Sequence, residues 1–237
     1  MEQPLSSVWT REKRPSKSPT LSRAQIVRAA MEILDAEGME ALSMRRLGTK
    51  LGAGATSIYW HVANKDDLLE LVLDEVFAEV PSFDPETNGW RDAASAFAYG
   101  VRQALFAHPW SAVLIGTMPS IGPNAMRLSD GLMRTFLKAG FTGMGLDHAA
   151  STLMSYVLGT TLPEIAWRSV TRRSGLSEQE LIKAMTDLVA RTVDEYPGLA
   201  ARYSEYADLD QETVRALNFD FGLACFLDGL EARLKEG

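Results

Sequence analysis

The chain has 237 residues, 46% of them hydrophobic, with 31 Asp and Glu against 24 Lys and Arg and a formal charge of −7. That size and apolar content provide for a folded globule, either one large domain or a small one plus a larger one, and the acidic balance excludes a protein that coats DNA indiscriminately. No apolar run reaches the roughly 18 residues of a membrane span, no apolar segment follows the basic N-terminal stretch, and the single Cys225 allows no internal disulfide, so a soluble, cytoplasmic protein is expected.

Charge is unevenly placed. Residues 1–65 hold ten Lys and Arg against six Asp and Glu, whereas residues 66–237 hold 14 against 25. A basic first quarter on an acidic chain suits a protein that meets DNA at one end and keeps the remainder repelled from it. Residues 1–20 lack hydrophobic periodicity and contain Pro4, Pro15 and Pro19 among Arg11, Lys13, Arg14 and Lys17, a composition expected to be disordered alone. Such an arm could follow phosphates or enter the minor groove, or it could be a solvated tail.

Ser22 with Gln25 three residues on forms a capping-box pattern, and Ile26, Ala29, Ala30, Ile33 and Leu34 make the inward stripe of a first helix that Gly38 ends. Ser43 then caps a second helix carrying Met44, Leu47 and Leu51 until Gly52. After a tight turn, a third short helix from about Ala55 to Val62 should bury Ile58 and Val62, leaving Thr56, Ser57, Tyr59, Trp60 and His61 largely outward. This is a helix-turn-helix pattern within a three-helix unit. Two large aromatics beside hydroxyls and a histidine suit a DNA groove, although Tyr59 and Trp60 could also cover the three-helix core. No second ligand at helical spacing supports His61 as a metal ligand.

The run IYWHVANKDDLL, preceded by LSMRRLGTKLG and a small-residue turn, resembles the DNA-binding half of the tetracycline-repressor family. The resemblance implies that Ala55 and Thr56 sit at base edges and that Ser57, Tyr59, Trp60 and His61 contact bases or backbone. It places a phosphate at Lys65 and DNA beside Arg45. Lys65 has a second reading, as a solvated cation beside Asp66 and Asp67. Ala55 stands where the tetracycline-binding member has a longer polar reader, so a different operator sequence is expected.

Asn64 caps a connector helix with Leu68, Leu69, Val72, Val76 and Phe77 on its apolar side, and residues 81–89 form a turn-rich break. Helices are then expected over Trp90–His108, Trp110 to about Gly116, and residues 124–139. Another should start at a cap on Asp147 and be kinked or restarted at Pro163. The TRRSG segment reads as a polar loop. Ser177 and Glu180 form a capping box for a helix to about Tyr196, closed by Pro197, with a short helix over 198–206. The last helix, from about Gln211 to Lys235, carries two apolar stripes, one of Val214, Leu217, Phe221 and Cys225 and one of Phe219, Leu223, Phe226 and Leu230. A helix apolar around so much of its circumference needs cover on more than one side, and a second subunit could supply it.

The segments WRDAASAF, LFAHPWSAVLIGTMP and SYVLGTTLPE resemble, in order and spacing, the family's regulatory domain. The expected fold is therefore all-α. Residues 1–20 are read as a flexible basic arm, 21–65 as the helix-turn-helix DNA-binding domain, 66–80 as the connector, and 81–237 as a helical ligand-binding and dimerisation domain. Leu114 and Ile115 stand where the tetracycline-binding member keeps a His for its metal–drug chelate, so magnesium-bound tetracycline is not the expected ligand. Phe106, His108, Trp110, Met118, Met126, Met133, Phe136, Met154, Tyr156 and Trp167 are candidates for the wall of an effector cavity, the alternative for each being ordinary core.

The resemblance implies a ligand-responsive regulator that binds a near-palindromic operator as a homodimer and is released by a small hydrophobic or aromatic effector. A ligand-independent regulator working with a protein partner is the second reading. Three scattered His residues and one Cys in an apolar stripe provide no converging acid–base or nucleophile set, so neither catalysis, nor a cofactor, nor a metal is expected.

Overall fold

The computed structural model describes residues 7–10, 21–191, 195–206 and 209–236. The basic run from Arg11 to Lys17 lies outside them. Two compact units divide the chain, Met1–Val157 and Leu158–Gly237. The described residues form helices and no strand, with one isolated bridge between Ile115 and Met118.

The first unit opens with α1 (Arg23–Glu37), α2 (Met44–Lys50) and α3 (Ala55–Tyr59). Ser22 Oγ accepts from the Gln25 amide at 3.2 Å, and Gln25 Oε1 accepts from the Ser22 amide at 2.8 Å. This reciprocal cap satisfies two donors that a helix start leaves over. Ser43 Oγ caps α2 by accepting from the Arg46 amide. Ile26, Ala30, Leu34, Leu47, Ile58 and Val62 close into a core from which water is almost wholly excluded. Each large aliphatic there contributes about 1.5–3 kcal/mol, so Leu47→Ala, which leaves a cavity, would cost about 2–5 kcal/mol. The third helix is shorter than its pattern suggests: Trp60 and His61 lie in the turn after it, yet the Val62 amide still donates to Ile58 O at 3.1 Å and Val62 stays inward.

The connector, α4 (Lys65–Ala78), is capped by Asn64 Oδ1, which accepts from the Asp67 amide at 2.8 Å. Besides its apolar residues it buries Asp67, Glu70 and Asp74. Each of these carboxylates accepts from a different part of the chain. Asp67 takes the Ala63 amide; Glu70 takes the Ser7 hydroxyl and the Val8 amide; Asp74 takes the amides of Asn124 and Ala125 and the Asn124 side chain. Backbone N–H groups supply what buried charge requires.

After α5 (Pro85–Asn88), a single turn inside the expected break, come α6 (Trp90–Ala107), α7 (Ser111–Leu114) and α8 (Pro123–Ala139). The start of α8 is the segment that Asp74 holds. In return Arg127 of α8 donates to Phe77 O at 3.0 Å and Val80 O at 3.4 Å, covering carbonyls at the end of α4. Two helices thus cap one another. The far end of α8 closes on Gly140, whose φ of 109° is the left-handed turn, with Phe141 N–H donating to Phe136 O. The rings of Phe136 and Phe141 meet edge to face at 5.9 Å, the apolar contact that accompanies such a cap.

The long α9 (Gly143–Ser174) departs from expectation at three places. It begins at Gly143, so Asp147 lies inside it and caps nothing. It continues unbroken through Pro163, because the ring's fixed φ is helical and only one N–H is lost. The TRR residues extend it to Ser174, and the loop shrinks to Gly175 and its neighbours. In the second unit, α10 (Glu178–Ala190) starts with the expected Ser177–Glu180 capping box but ends before Tyr196; residues 192–194 are outside the description. Pro197 opens α11 (Pro197–Tyr206) instead of only closing its predecessor, and α12 (Gln211–Glu236) follows. On α12 Phe219, Leu223 and Leu227 are buried, while Leu217 and Phe221 are 61% and 73% exposed. Among the described residues no helix is long and apolar enough to cross a membrane.

Candidate nucleic-acid interface

Ile58 carries α3 into the core, and its neighbours are thereby turned out. Tyr59 is 46% exposed and Trp60 63%; Thr56 is exposed, and Ser57 and His61 are half-buried. Ala55 opens the helix, where the backbone N–H groups still lack partners within it. The fixed geometry comes from the turn: the Ala53 amide donates to Gly48 O at 3.0 Å and the Ser57 amide to Gly54 O at 2.9 Å. Arg23 of α1 donates to His61 O at 3.3 Å and ties the end of the aromatic face to the first helix.

Cations around this face are not equivalent. Arg46 pairs with Glu37, and Lys50 with Glu32 at 2.8 Å, so glutamates of α1 hold two of the positive charges of α2. Arg45, immediately before Arg46, is exposed. Lys65 is half-buried at the first position of α4, next to the Asn64 cap. The face therefore offers hydroxyls, two broad aromatic surfaces and flanking cations, the combination that meets base edges and phosphates together.

The expected effector-wall residues are scattered among environments. Phe136 is fully buried between Trp90, at 6.4 Å, and Phe141. Met126 is 57% exposed on α8. Phe106 is half-buried beneath the Arg102 guanidinium, and Met118, Met133, Met154 and Tyr156 are also half-buried. Trp167 lies in the second unit, where its indole N–H donates to Glu178 at 2.7 Å. Glu178 also receives Arg215 at 2.6 Å, and that hydrogen bond, outweighing burial, lowers its pKa.

His108 and Trp110 are brought together. His108 Nδ1 lies 2.7 Å from Asp35 Oδ1, and the Trp110 indole donates to that same oxygen at 2.6 Å. Nε2 lies 3.0 Å from Glu79 Oε2, within ion-pair distance although off the line of the ring N–H. Burial alone would lower the imidazole pKa, but the Asp35 and Glu79 carboxylates outweigh it and the net shift is upward. Asp35, Glu79, Asp74 and Arg127 carry no local sequence signal, because their partners lie far away along the chain. Among the described residues no group of three or more His, Cys, Asp and Glu could hold a metal ion.

Comparison with known proteins bears on this site. The family described as bacterial regulatory proteins, tetR family, matches residues 26–72, and that described as tetracyclin repressor-like, C-terminal domain, matches residues 81–234. An HTH-type transcriptional regulator of Saccharopolyspora erythraea is 40% identical over 83% of this chain and 81% of its own length. The HTH-type transcriptional repressor DrrR1 of Streptomyces coeruleorubidus is 34% identical over 96% of this chain and 84% of its own. The crystal structure of the TetR family protein ActR of Streptomyces coelicolor in complex with actinorhodin superposes with a TM-score of 0.75 at 28% identity, covering 92% of this chain and 99% of that one. With its helix-turn-helix and helical C-terminal part both matched, this chain belongs to the tetracycline-repressor family of bacterial transcriptional regulators.

Proposed function

We propose that the protein is a repressor that binds a near-palindromic operator as a homodimer in the cytoplasm and is released by a small hydrophobic or aromatic effector. The observation that carries this reading is the exposed Thr56, Tyr59 and Trp60 face, set on a helix whose inward side is already filled by Ile58 and Val62. Residues 21–65 read DNA, 66–80 connect, 81–237 bind the effector and dimerise, and the basic stretch of 1–20 is an arm. The DNA-contacting set is Arg45, Ala55, Thr56, Ser57, Tyr59, Trp60, His61 and Lys65. Two such faces about 34–36 Å apart occupy successive major grooves.

The partner subunit covers Leu217 and Phe221 of α12, an exposed apolar pair that water disfavours. The half-buried Phe106, Met118, Met133, Met154 and Tyr156 are the effector-wall residues retained, an adaptable apolar lining. ActR is bound to actinorhodin, and a small hydrophobic or aromatic effector is the proposal for this chain. Effector and operator weaken one another by the same factor, since coupling between two sites is reciprocal. The protein acts by binding and carries no catalytic centre.

Selection of bound duplexes from a random pool, followed by a screen of small hydrophobic and aromatic compounds for release of the selected DNA, tests the proposal. A two-fold-symmetric consensus and one releasing compound are expected. Monomeric protein with no sequence preference at moderate salt would overturn it. A consensus that no compound releases would favour a ligand-independent regulator working with a protein partner.

A further inference from the structure

The turn after α6 touches both the first helix of the DNA-reading unit and the end of the connector. His108 is buried there between carboxylates of two elements, Asp35 on α1 and Glu79 just past α4. These are the charged groups that face its ring; Trp110 adds a neutral donor to the Asp35 oxygen. We propose that His108 is a positioning residue for operator recognition, its imidazolium holding α1 and the end of α4 against the α6–α7 turn in the arrangement that reads DNA. The inference rests on the proposed repressor function, in which the effector-free molecule is the DNA-binding one.

The chemistry of the ring makes the link depend on one proton. An imidazolium carries a proton on both nitrogens, so it can donate to Asp35 through Nδ1 while its charge pairs with Glu79, 3.0 Å from Nε2. A neutral ring donates from one and turns a lone pair on the other carboxylate. Two anions from separate helices then face a ring without charge between them, and the link to one of the helices is lost. Trp110 remains on Asp35, so α4, held by Glu79 alone at this point, is the element that loosens. Since α4 connects the DNA-reading helices to the regulatory helices, its release alters how α3 is presented. The sign follows from the raised pKa: the link is complete below the ordinary histidine range and is lost as pH rises through the elevated value.

The test uses the full-length homodimer and an operator selected from random duplexes. The three histidines, His61, His108 and His148, are few enough for each ring to be followed by NMR, with His61→Gln and His148→Gln assigning the remaining signal to His108. If the protonated form holds the operator better, bound operator must raise the pKa of His108, by the same factor that protonation tightens binding. We expect that rise, together with about a 3- to 10-fold loss of operator affinity between about pH 6.5 and about pH 8.5, a change of the size one pKa unit or less produces.

His108→Gln, which puts a neutral amide in place of the ring, should bind at the weaker, high-pH level throughout. A His108 titration identical with and without operator, in protein that does bind the operator, overturns the inference and leaves the repressor reading standing. Failure of the parent protein to bind any selected duplex overturns both. Should the Gln variant not fold, the NMR titration of the parent chain decides alone.

Discussion

Asp74 and Gly122 meet so closely that a Cβ built on the glycine would lie 2.2 Å from Asp74 Oδ1. The carboxylate of the connector helix fills the space that any other side chain would need, and from there it reaches the amides of Asn124 and Ala125 at 3.1 and 3.0 Å. Gly122→Ala should therefore destabilise the protein by about 1–3 kcal/mol through overpacking. Asp74→Ala should cost about 1–3 kcal/mol by leaving the start of α8 uncapped. The two losses should not add, since removing the carboxylate also removes the clash. Denaturant melts of the two single variants and the double variant measure this, and strict additivity would refute the contact.

The DNA face is expected to separate into residues that specify and residues that hold. Tyr59→Ala should weaken the selected operator by about 1–3 kcal/mol if the ring reaches a base edge, with little change for unrelated duplexes. Lys65→Ala should weaken all duplexes alike and reduce the slope of log affinity against log salt by about one. Neither change should lower the melting temperature appreciably, and titrations at several salt concentrations distinguish the two roles.

A third expectation concerns acid stability in the C-terminal unit. Arg215 stands between Glu178 and the buried Glu164, at 2.6 and 3.2 Å. Its hydrogen bond lowers the Glu178 pKa, so this contribution to stability is full above the ordinary Glu value and fades as pH falls through the lowered one. Arg215→Ala should cost about 1–3 kcal/mol near neutral pH, less than a fully isolated buried charge because Arg168 also pairs with Glu164 at 2.9 Å. The deficit should shrink in acid. Equal deficits at neutral and acid pH would remove the electrostatic explanation.

Phe221 provides a test of assembly. At 73% exposure its ring contributes little to the fold of the subunit, and Phe221→Glu should leave helicity intact while dissociating the homodimer. Sedimentation velocity at micromolar concentration reports it. A dimer that survives the glutamate would move the interface elsewhere.

What could be read from the chain and what could not divide along sequence distance. Ser22 with Gln25, Ser43, Asn64 and Ser177 with Glu180 announce helix starts within four residues, and all four caps are present. Ile58 and Val62 place the face of α3 correctly, although the helix closes a turn earlier than periodicity indicates. Pro163 misleads because a fixed helical φ outweighs one missing hydrogen bond when the surrounding turns hold. The partners of Asp74, His108 and Glu70 are a different matter. His108 is 73 residues from Asp35, Asn124 is 50 from Asp74, and Ser7 is 63 from Glu70, and no local pattern encodes such pairs. A carboxylate on the inward side of an amphipathic helix was the one available hint, since buried charge requires a partner from somewhere.

The side chains turned outward on α3 are not the ones that build the molecule. Ile58 and Val62 secure the helix, while Thr56, Tyr59 and Trp60 stand clear of that packing. Changes among those three residues should consequently cost the subunit little, and a lineage can retarget its promoters by rewriting a few exposed letters while its scaffold stays untouched.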